Sequence, residues 1–153
     1  MPLEFMTRQK NDLIRDISSF GSLFAYLFVL FVFLIQKNYV LFNKLAIGLL
    51  FIYAIVIIIR SVYFKDRPKK YPHSTFIERL DASSFPSLHA ARITFLYAIF
   101  INYFKNYIFL ILGVILVALV SYSRIYLKKH DKTDVFVGIF LGVVVYFVVN
   151  WVF

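Results

Sequence analysis

The feature that most constrains this chain is a series of long apolar runs separated by polar, mostly basic segments. The runs cover about residues 18–35, 39–59, 87–103, 107–122 and 135–153. An α-helix needs about 20 apolar residues to cross the hydrocarbon core of a bilayer, and these runs approach that length. Inside a bilayer a helix satisfies its own backbone hydrogen bonds, which an isolated strand cannot do. We therefore predict an all-α integral membrane bundle with about five transmembrane helices.

The composition supports a bilayer as the solvent. Hydrophobic residues make up 61% of the 153 positions and aromatic residues 20%. A soluble domain of this size cannot bury so large an apolar share. Residues 2–16 mix apolar and charged side chains at a spacing that permits an amphipathic helix in the membrane interface, with a flexible tail as the alternative. Acidic residues precede the first run and no small-residue cleavage site follows it, so we expect that run to remain as a helix.

Net charge and cysteine content limit the kinds of partner and site that this chain can have. The formal net charge is +9, and the basic residues cluster between the apolar runs. This placement favours anionic lipid head groups or a phosphorylated substrate, and we expect no nucleic-acid partner. The chain has no cysteine, which excludes a disulfide, a thiol nucleophile and a cysteine metal site.

Five crossings would place the N-terminus, the 60–86 loop and the 123–134 loop on one face of the membrane. Every residue with candidate chemistry falls on that face. Most of the basic residues lie there too, so the positive-inside rule places this face in the cytoplasm.

The first candidate segment runs from Arg60 to Arg67-Pro68. Two guanidiniums at one pocket rim would bind phosphoryl oxygens through paired N–H donors. The alternative is that they anchor a helix end among lipid phosphates.

The second segment is Pro86-Ser87-Leu88-His89, at the start of the third run. Proline fixes the entry to a helix, Ser87 offers a hydroxyl, and the first backbone N–H groups of the helix form an anion site. His89 would stand beside a bound anion, where it could donate a proton to a leaving oxygen. The alternative is an ordinary interfacial histidine.

The third segment contains Ser123-Arg124, His130 and Asp134. Histidine and aspartate four residues apart share one face of a helix. The carboxylate would hold one imidazole nitrogen as N–H and leave the other lone pair free to attack. Arg124 supplies a planar fork for a phosphate. The alternative is a basic loop in which Asp134 merely starts a helix.

Together the three segments resemble the type 2 phosphatidic acid phosphatase superfamily. That family's pattern is Lys-x6-Arg-Pro, then Pro-Ser-Gly-His, then Ser-Arg-x5-His-x3-Asp. The third element matches at every defined position, whereas Arg60 replaces the lysine and Leu88 the glycine. The resemblance covers about residues 60–140, inside a single domain that we expect to span residues 1–153. Membrane members usually have six crossings.

The resemblance implies a role for each matching residue. His130 would be the nucleophile that forms a phosphohistidine, Asp134 would orient it, and His89 would be the general acid. No metal or other cofactor is implied, because fixed cations and backbone N–H groups hold the phosphoryl oxygens. The residues implied in phosphate binding are Arg60, Arg67, Ser87, Leu88 (through its backbone) and Arg124.

We therefore expect metal-independent dephosphorylation of a lipid phosphate or diphosphate in the cell membrane. An isoprenoid diphosphate is favoured, since a small chain with short loops discriminates little between head groups; phosphatidic acid and phosphatidylglycerol phosphate are the alternatives. A non-catalytic membrane protein that binds anionic lipid and a lipid phosphotransferase also remain open. The side of the membrane on which the site lies also remains open, because members of the family usually have their active site outside the cell. The sequence does not define an oligomeric state.

Overall fold

The computed structural model describes residues 2–69 and 74–153, so loop residues 70–73 lie outside the described part. Within that part the chain forms seven helices and no strand. The helices are α1 Pro2–Ser19, α2 Leu23–Ile35, α3 Tyr39–Val62, α4 Phe76–Ala82, α5 Leu88–Phe104, α6 Tyr107–Tyr126 and α7 Lys132–Val152. The predicted all-α fold is confirmed.

Not all of these helices have the length of a membrane span. In the described residues, α3, α6 and α7 are each long and apolar enough to cross a bilayer, and α1 with α2 forms a fourth candidate as a bent pair. Helix α5 is apolar but has 17 residues, or about 26 Å of helix. All five predicted runs are thus helical, and three to four candidate spans fit a helical membrane bundle.

The first apolar run is broken where the sequence predicted one continuous helix. The helix expected over residues 2–16 continues to Ser19, and α2 then begins at Leu23 after a bend of 44°. The Ser22 hydroxyl caps α2 by accepting from the backbone N–H of Ala25 (3.1 Å). Buried Arg92 of α5 donates to the Gly21 carbonyl (3.1 Å), so the bend is tied to the bundle.

Helices α5 and α7 pack closely because small residues face the contact. A Cβ atom on Gly138 would lie 2.5 Å from the Ser87 carbonyl oxygen, and one on Gly142 would lie 2.6 Å from that of Ala91. Such distances leave no room for a side chain. The close approach brings the N-terminus of α7 against the N-terminus of α5, where the second and third motif segments lie.

The bundle has two polar ends. At one end, the last turns of α1, α3 and α6 meet the first turns of α2, α5 and α7. At the other end, Lys44 donates to the side-chain oxygen of Asn150 (2.8 Å), and the Asn38 amide donates to the Tyr103 hydroxyl (2.9 Å). The three motif segments all belong to the first end.

Candidate active site

The turn between α6 and α7 places His130 beside Arg124. The Arg124 carbonyl accepts from the backbone N–H groups of Lys129 (3.0 Å) and His130 (3.2 Å), so the chain folds back on the end of α6. Lys128 adopts a left-handed conformation (φ 53°) that allows this reversal. The His130 side chain is buried, with 3% exposed.

Asp134 both caps α7 and faces His130. Asp131 is the N-cap residue: its carboxylate accepts from the Asp134 N–H (3.0 Å), and the Asp134 Oδ2 accepts in return from the Asp131 N–H (3.1 Å). The same Oδ2 lies 3.7 Å from Nδ1 of His130. Asp134 therefore belongs to the capping box that starts the helix, in line with the alternative interpretation, and its carboxylate also faces the imidazole. Since Nδ1 faces Asp134, Nε2 is the ring nitrogen that could react with a substrate.

Lys65 completes this group, and the sequence analysis did not identify it. Its Nζ lies 2.7 Å from Oδ1 of Asp134, 2.5 Å from Oδ2 of Asp131 and 3.0 Å from the Thr133 hydroxyl. Partial burial acts to lower the pKa of Lys65, but the hydrogen bonds to the two carboxylates outweigh it and raise that pKa. Lys65 thus stays charged, offsets the buried Asp134 carboxylate and ties the loop after α3 to the start of α7.

The N-terminus of α5 is fixed to the same group. Ser87 is fully buried and caps α5, and its backbone N–H donates to the Asp134 carbonyl (2.9 Å). That N–H is therefore engaged within the protein, whereas the N–H groups at the start of a helix, here those of Leu88 and His89, have no partner inside the helix. Nδ1 of His89 lies 3.4 Å from the Arg92 guanidinium.

Arg60 contacts the protein on all three of its guanidinium nitrogens. It donates to the carbonyls of Leu80 (2.8 Å), Phe85 (3.3 Å) and Pro86 (3.1 Å), and 5% of the residue is exposed. These bonds hold the segment that leads into α5. The phosphate contact expected for Arg60 stays a prediction, and its contacts first assign it to positioning Ser87.

The positive charges of Arg67 and Arg124 act on the imidazole of His130. Arg67 donates to the Asp81 carbonyl, and Arg124 donates to the Ser18 hydroxyl (2.8 Å). Burial lowers the pKa of His130, and the positive charges of Arg124 and Arg67 lower it further, while the Asp134 carboxylate opposes them. A lowered pKa keeps the imidazole neutral, so its lone pair is available near neutral pH.

A pocket of about 370 Å³ opens at this end of the bundle. Among the predicted site residues, His89 and Arg124 line it, whereas His130 and Asp134 are buried and are not part of its lining. The remaining lining comes from residues that the sequence analysis did not assign to a site: Arg15, Ser18 and Ser19 of α1, together with Lys69, Leu127 and Lys129. No local pattern marks them, because they meet only through the tertiary fold.

An apolar groove of about 550 Å³ lies next to this pocket, between α2 and α5. Phe24 and Phe28 of α2 and Leu96 and Tyr97 of α5 are among its lining residues. Ser19 lines both the pocket and the groove, so the two are neighbours.

Comparison with models of protein families gives a match. The family model described as the PAP2 superfamily matches residues 42–153. The match contains all of the predicted site residues and excludes α1 and α2. No solved structure matches the chain.

Proposed function

The chain belongs to the PAP2 superfamily, and from that membership we propose that it is a membrane phosphatase acting on a lipid phosphate or diphosphate. Membership supports phosphatase activity on phosphate esters in general. Three to four apolar helices of spanning length support an integral membrane protein. The lipid substrate is our extension of these two findings, since an ester anchored in the bilayer would reach a pocket at the end of the bundle beside an apolar groove.

The chemistry follows from the orientation of His130. Nε2 attacks phosphorus, an N–P bond forms, and the P–O bond to the leaving group breaks, with its electron pair going to the leaving oxygen. Asp134, whose Oδ2 lies 3.7 Å from Nδ1, stabilises the positive charge that develops on the ring. His89, which lines the pocket, donates a proton to the leaving oxygen. Water then attacks phosphorus, His89 accepts a proton from it, and the N–P bond breaks to release inorganic phosphate.

Fixed positive charge supports the transferring phosphoryl group. The charges of Arg67 and Arg124 act on the imidazole, and the first N–H groups of α5 add partial positive charge. Such groups stabilise negative charge without rearrangement during the reaction. In this proposal Arg60 and Ser87 act by holding the N-terminus of α5 in place, and no metal ion takes part.

The single observation that carries the proposal is the buried imidazole of His130, one nitrogen of which lies 3.7 Å from the buried Asp134 carboxylate. The test measures phosphate release by detergent-purified protein from a panel of phosphatidic acid, phosphatidylglycerol phosphate and prenyl mono- and diphosphates, with EDTA present. We expect the wild type to release phosphate from at least one of these lipids, and His130→Ala to release none while remaining folded.

Lys132→Ala is the matched control, because Lys132 is an exposed residue of the same turn. We expect its activity to stay close to that of the wild type. The absence of release from every lipid, or full activity in His130→Ala, would contradict the proposal. Brief reaction with a ³²P-labelled substrate should leave an acid-labile label on the wild type and none on His130→Ala.

A further inference from the structure

The end of the bundle opposite the candidate active site carries positive side chains and no acidic one. This far end consists of the last turns of α2, α5 and α7, the first turns of α3 and α6, and the turns between them. Its charged residues are Lys37, Lys44 and Lys105. All eight acidic residues of the chain lie instead in α1, between α3 and α5, or at the start of α7. The positive charge of the far end is therefore not balanced by an acidic side chain.

Lys44 belongs to a cluster of polar side chains that joins three helices. Its ammonium group donates to Oδ1 of Asn150 (2.8 Å), and Nδ2 of Asn102 lies 3.4 Å from the same oxygen. Nδ2 of Asn150 donates to the Tyr146 carbonyl (3.0 Å), which fixes the orientation of that amide. Lys44 is half-buried, and within the described residues its hydrogen-bond partner is this neutral amide alone. A charge partly withdrawn from water needs a counter-ion, and the far end does not supply one.

A pocket of about 270 Å³ lies at this cluster, and its polar lining residues are Asn38, Lys44, Asn102, Tyr103, Lys105 and Asn150. The Asn38 amide donates to the Tyr103 hydroxyl (2.9 Å), so the proton of that hydroxyl is available to a further acceptor. Two ammonium groups add further donors, and among the residues described no carboxylate lines the pocket. An excess of donors with positive charge suits an anion.

The surroundings of the pocket indicate that this anion belongs to a lipid. Val40 and Tyr103, which line the pocket, and Trp151, which follows Asn150, are each more than half exposed. Tyrosine and tryptophan at the ends of apolar helices are typical of the boundary between membrane and water. Two helices of spanning length, α3 and α7, have an end here. The pocket therefore lies at the level of the head groups of one leaflet, where phospholipids present phosphate groups.

We propose that Lys44 and Lys105, with the amide and hydroxyl groups around them, bind the phosphate group of an anionic phospholipid in the leaflet opposite the active site. The far end contains no histidine, so this lipid is a ligand and is separate from the substrate of the proposed phosphatase. Its phosphate supplies the missing counter-charge and links the ends of α3, α5 and α7. A zwitterionic lipid carries its own cation and gains less from the two lysines.

Trp151 provides a local measure of this binding. It is the single tryptophan of the chain and adjoins Asn150, and it lies about 28 Å along α7 from Lys132 at the active-site end. Bromine atoms on an acyl chain quench tryptophan fluorescence only at close range, so lipid bound at the active site does not contribute. The full chain is reconstituted into phosphatidylcholine bilayers that contain either brominated phosphatidylglycerol or brominated phosphatidylcholine. The ratio of the two relative binding constants is then measured from the quenching.

We expect the wild type to prefer phosphatidylglycerol about 25-fold, because each lysine near an anionic head group contributes about fivefold. Lys44→Gln and Lys105→Gln should each retain about a fivefold preference, and the double variant should show none. Glutamine at position 44 keeps a donor for Asn150. Lys37→Gln is the matched control, because Lys37 and Lys105 are both exposed lysines in a left-handed conformation (φ 57° and 47°) but only Lys105 lines the pocket. We expect this control to keep the wild-type preference.

Two outcomes would overturn the site: a wild-type ratio near one, or the same loss in Lys37→Gln as in Lys105→Gln. Inorganic phosphate at millimolar concentration separates a lipid from a free anion. It should leave the quenching by brominated phosphatidylglycerol unchanged, and relief of that quenching would overturn the assignment to a lipid. The ratio compares two lipids on one protein, so a change of stability in Lys44→Gln affects both of its terms. None of these measurements depends on turnover, so the result is independent of the phosphatase proposal.

Discussion

The matched part of the chain, residues 42–153, and the N-terminal helices α1 and α2 contribute to the pocket in different ways. The matched part holds its key side chains through buried contacts: Asp134 is fully buried, and His130 is 3% exposed. Helix α1 contributes the buried Ser18 but also the largely exposed Arg15. The proposed chemistry therefore depends on buried side chains of the matched part, whereas α1 also brings a largely exposed charge to the pocket.

The difference has an energetic meaning. Breaking a buried pair of charged or hydrogen-bonded groups leaves an unsatisfied polar group and costs about 3–5 kcal/mol, whereas an exposed ion pair contributes about 0.2–1 kcal/mol. Substitutions in the two regions should accordingly differ by orders of magnitude in their effect on turnover.

The largest effect is expected for Asp134→Asn. Asparagine keeps an oxygen that caps α7 but loses the charge that faces His130 and Lys65, so kcat should fall by at least about a hundredfold. Asp131→Asn is the matched control, because asparagine is an equally good N-cap and the Asp131 side chain is 43% exposed. Similar losses in the two variants would show that helix capping, and not the contact with His130, sets the rate.

The next effect concerns packing within the matched part. Gly138→Ala places a Cβ 2.5 Å from the backbone oxygen of Ser87, so α5 and α7 must separate. We expect a destabilisation of about 1–3 kcal/mol, the usual cost of overpacking, measured as a lower thermal midpoint in detergent together with reduced kcat. Gly113→Ala is the comparison, since its nearest neighbour is a Tyr97 ring atom at 2.9 Å, and a side chain can move where a backbone cannot. A larger loss in Gly113→Ala would contradict the packing described here.

The pH profile tests the environment of His130. Burial and the positive charges of Arg124 and Arg67 lower the pKa of His130, so the imidazole should become protonated at a pH below its usual value of about 6.5. Because the neutral ring is the nucleophile, kcat/KM should hold as pH falls through about 6.5 and decline only at more acidic pH, after correction for ionisation of the substrate itself. A decline centred at or above about 6.5 would show that the site does not shift this histidine.

The smallest effect is expected in the N-terminal part. Ser18→Ala removes the hydroxyl that accepts from Arg124, so the guanidinium should be held less firmly and KM should rise about fivefold, with a smaller change in kcat. Ser61→Ala serves as control, because that hydroxyl bonds only to its own helix, at the Ile57 carbonyl. A Ser18→Ala effect as large as that of Asp134→Asn would place α1 within the catalytic machinery and remove the distinction between the regions.

The sequence predicted the elements governed by local pattern. The apolar runs predicted the helical bundle, and the spacing of residues 123–134 predicted that His130 and Asp134 would face each other. Gly138 and Gly142 stand four residues apart in the last apolar run, a spacing that favours close helix packing. Each of these depends on periodicity within one segment.

The sequence did not predict the features that depend on distant partners. Lys65 bonds to Asp131 and Asp134, which lie more than 60 residues further along the chain. The break at residues 20–22 is fixed by Arg92, 71 residues from Gly21, and the Gly-Ser pair inside an apolar run was a weak local signal. The bonds from Arg60 to three carbonyls have the same origin, because only the folded loop presents those carbonyls to it, and its phosphate contact stays a prediction.

The double use of Asp134 links reactivity to the integrity of one helical turn. The oxygen that caps α7 is the oxygen nearest to His130, so fraying of that first turn carries the carboxylate away from the ring while the rest of the bundle stays intact. On warming, enzymatic turnover should therefore be lost at a lower temperature than the helical circular-dichroism signal. A phosphate analogue such as vanadate, bound against the imidazole, should hold the turn in place. The site and the bundle should then unfold at the same temperature.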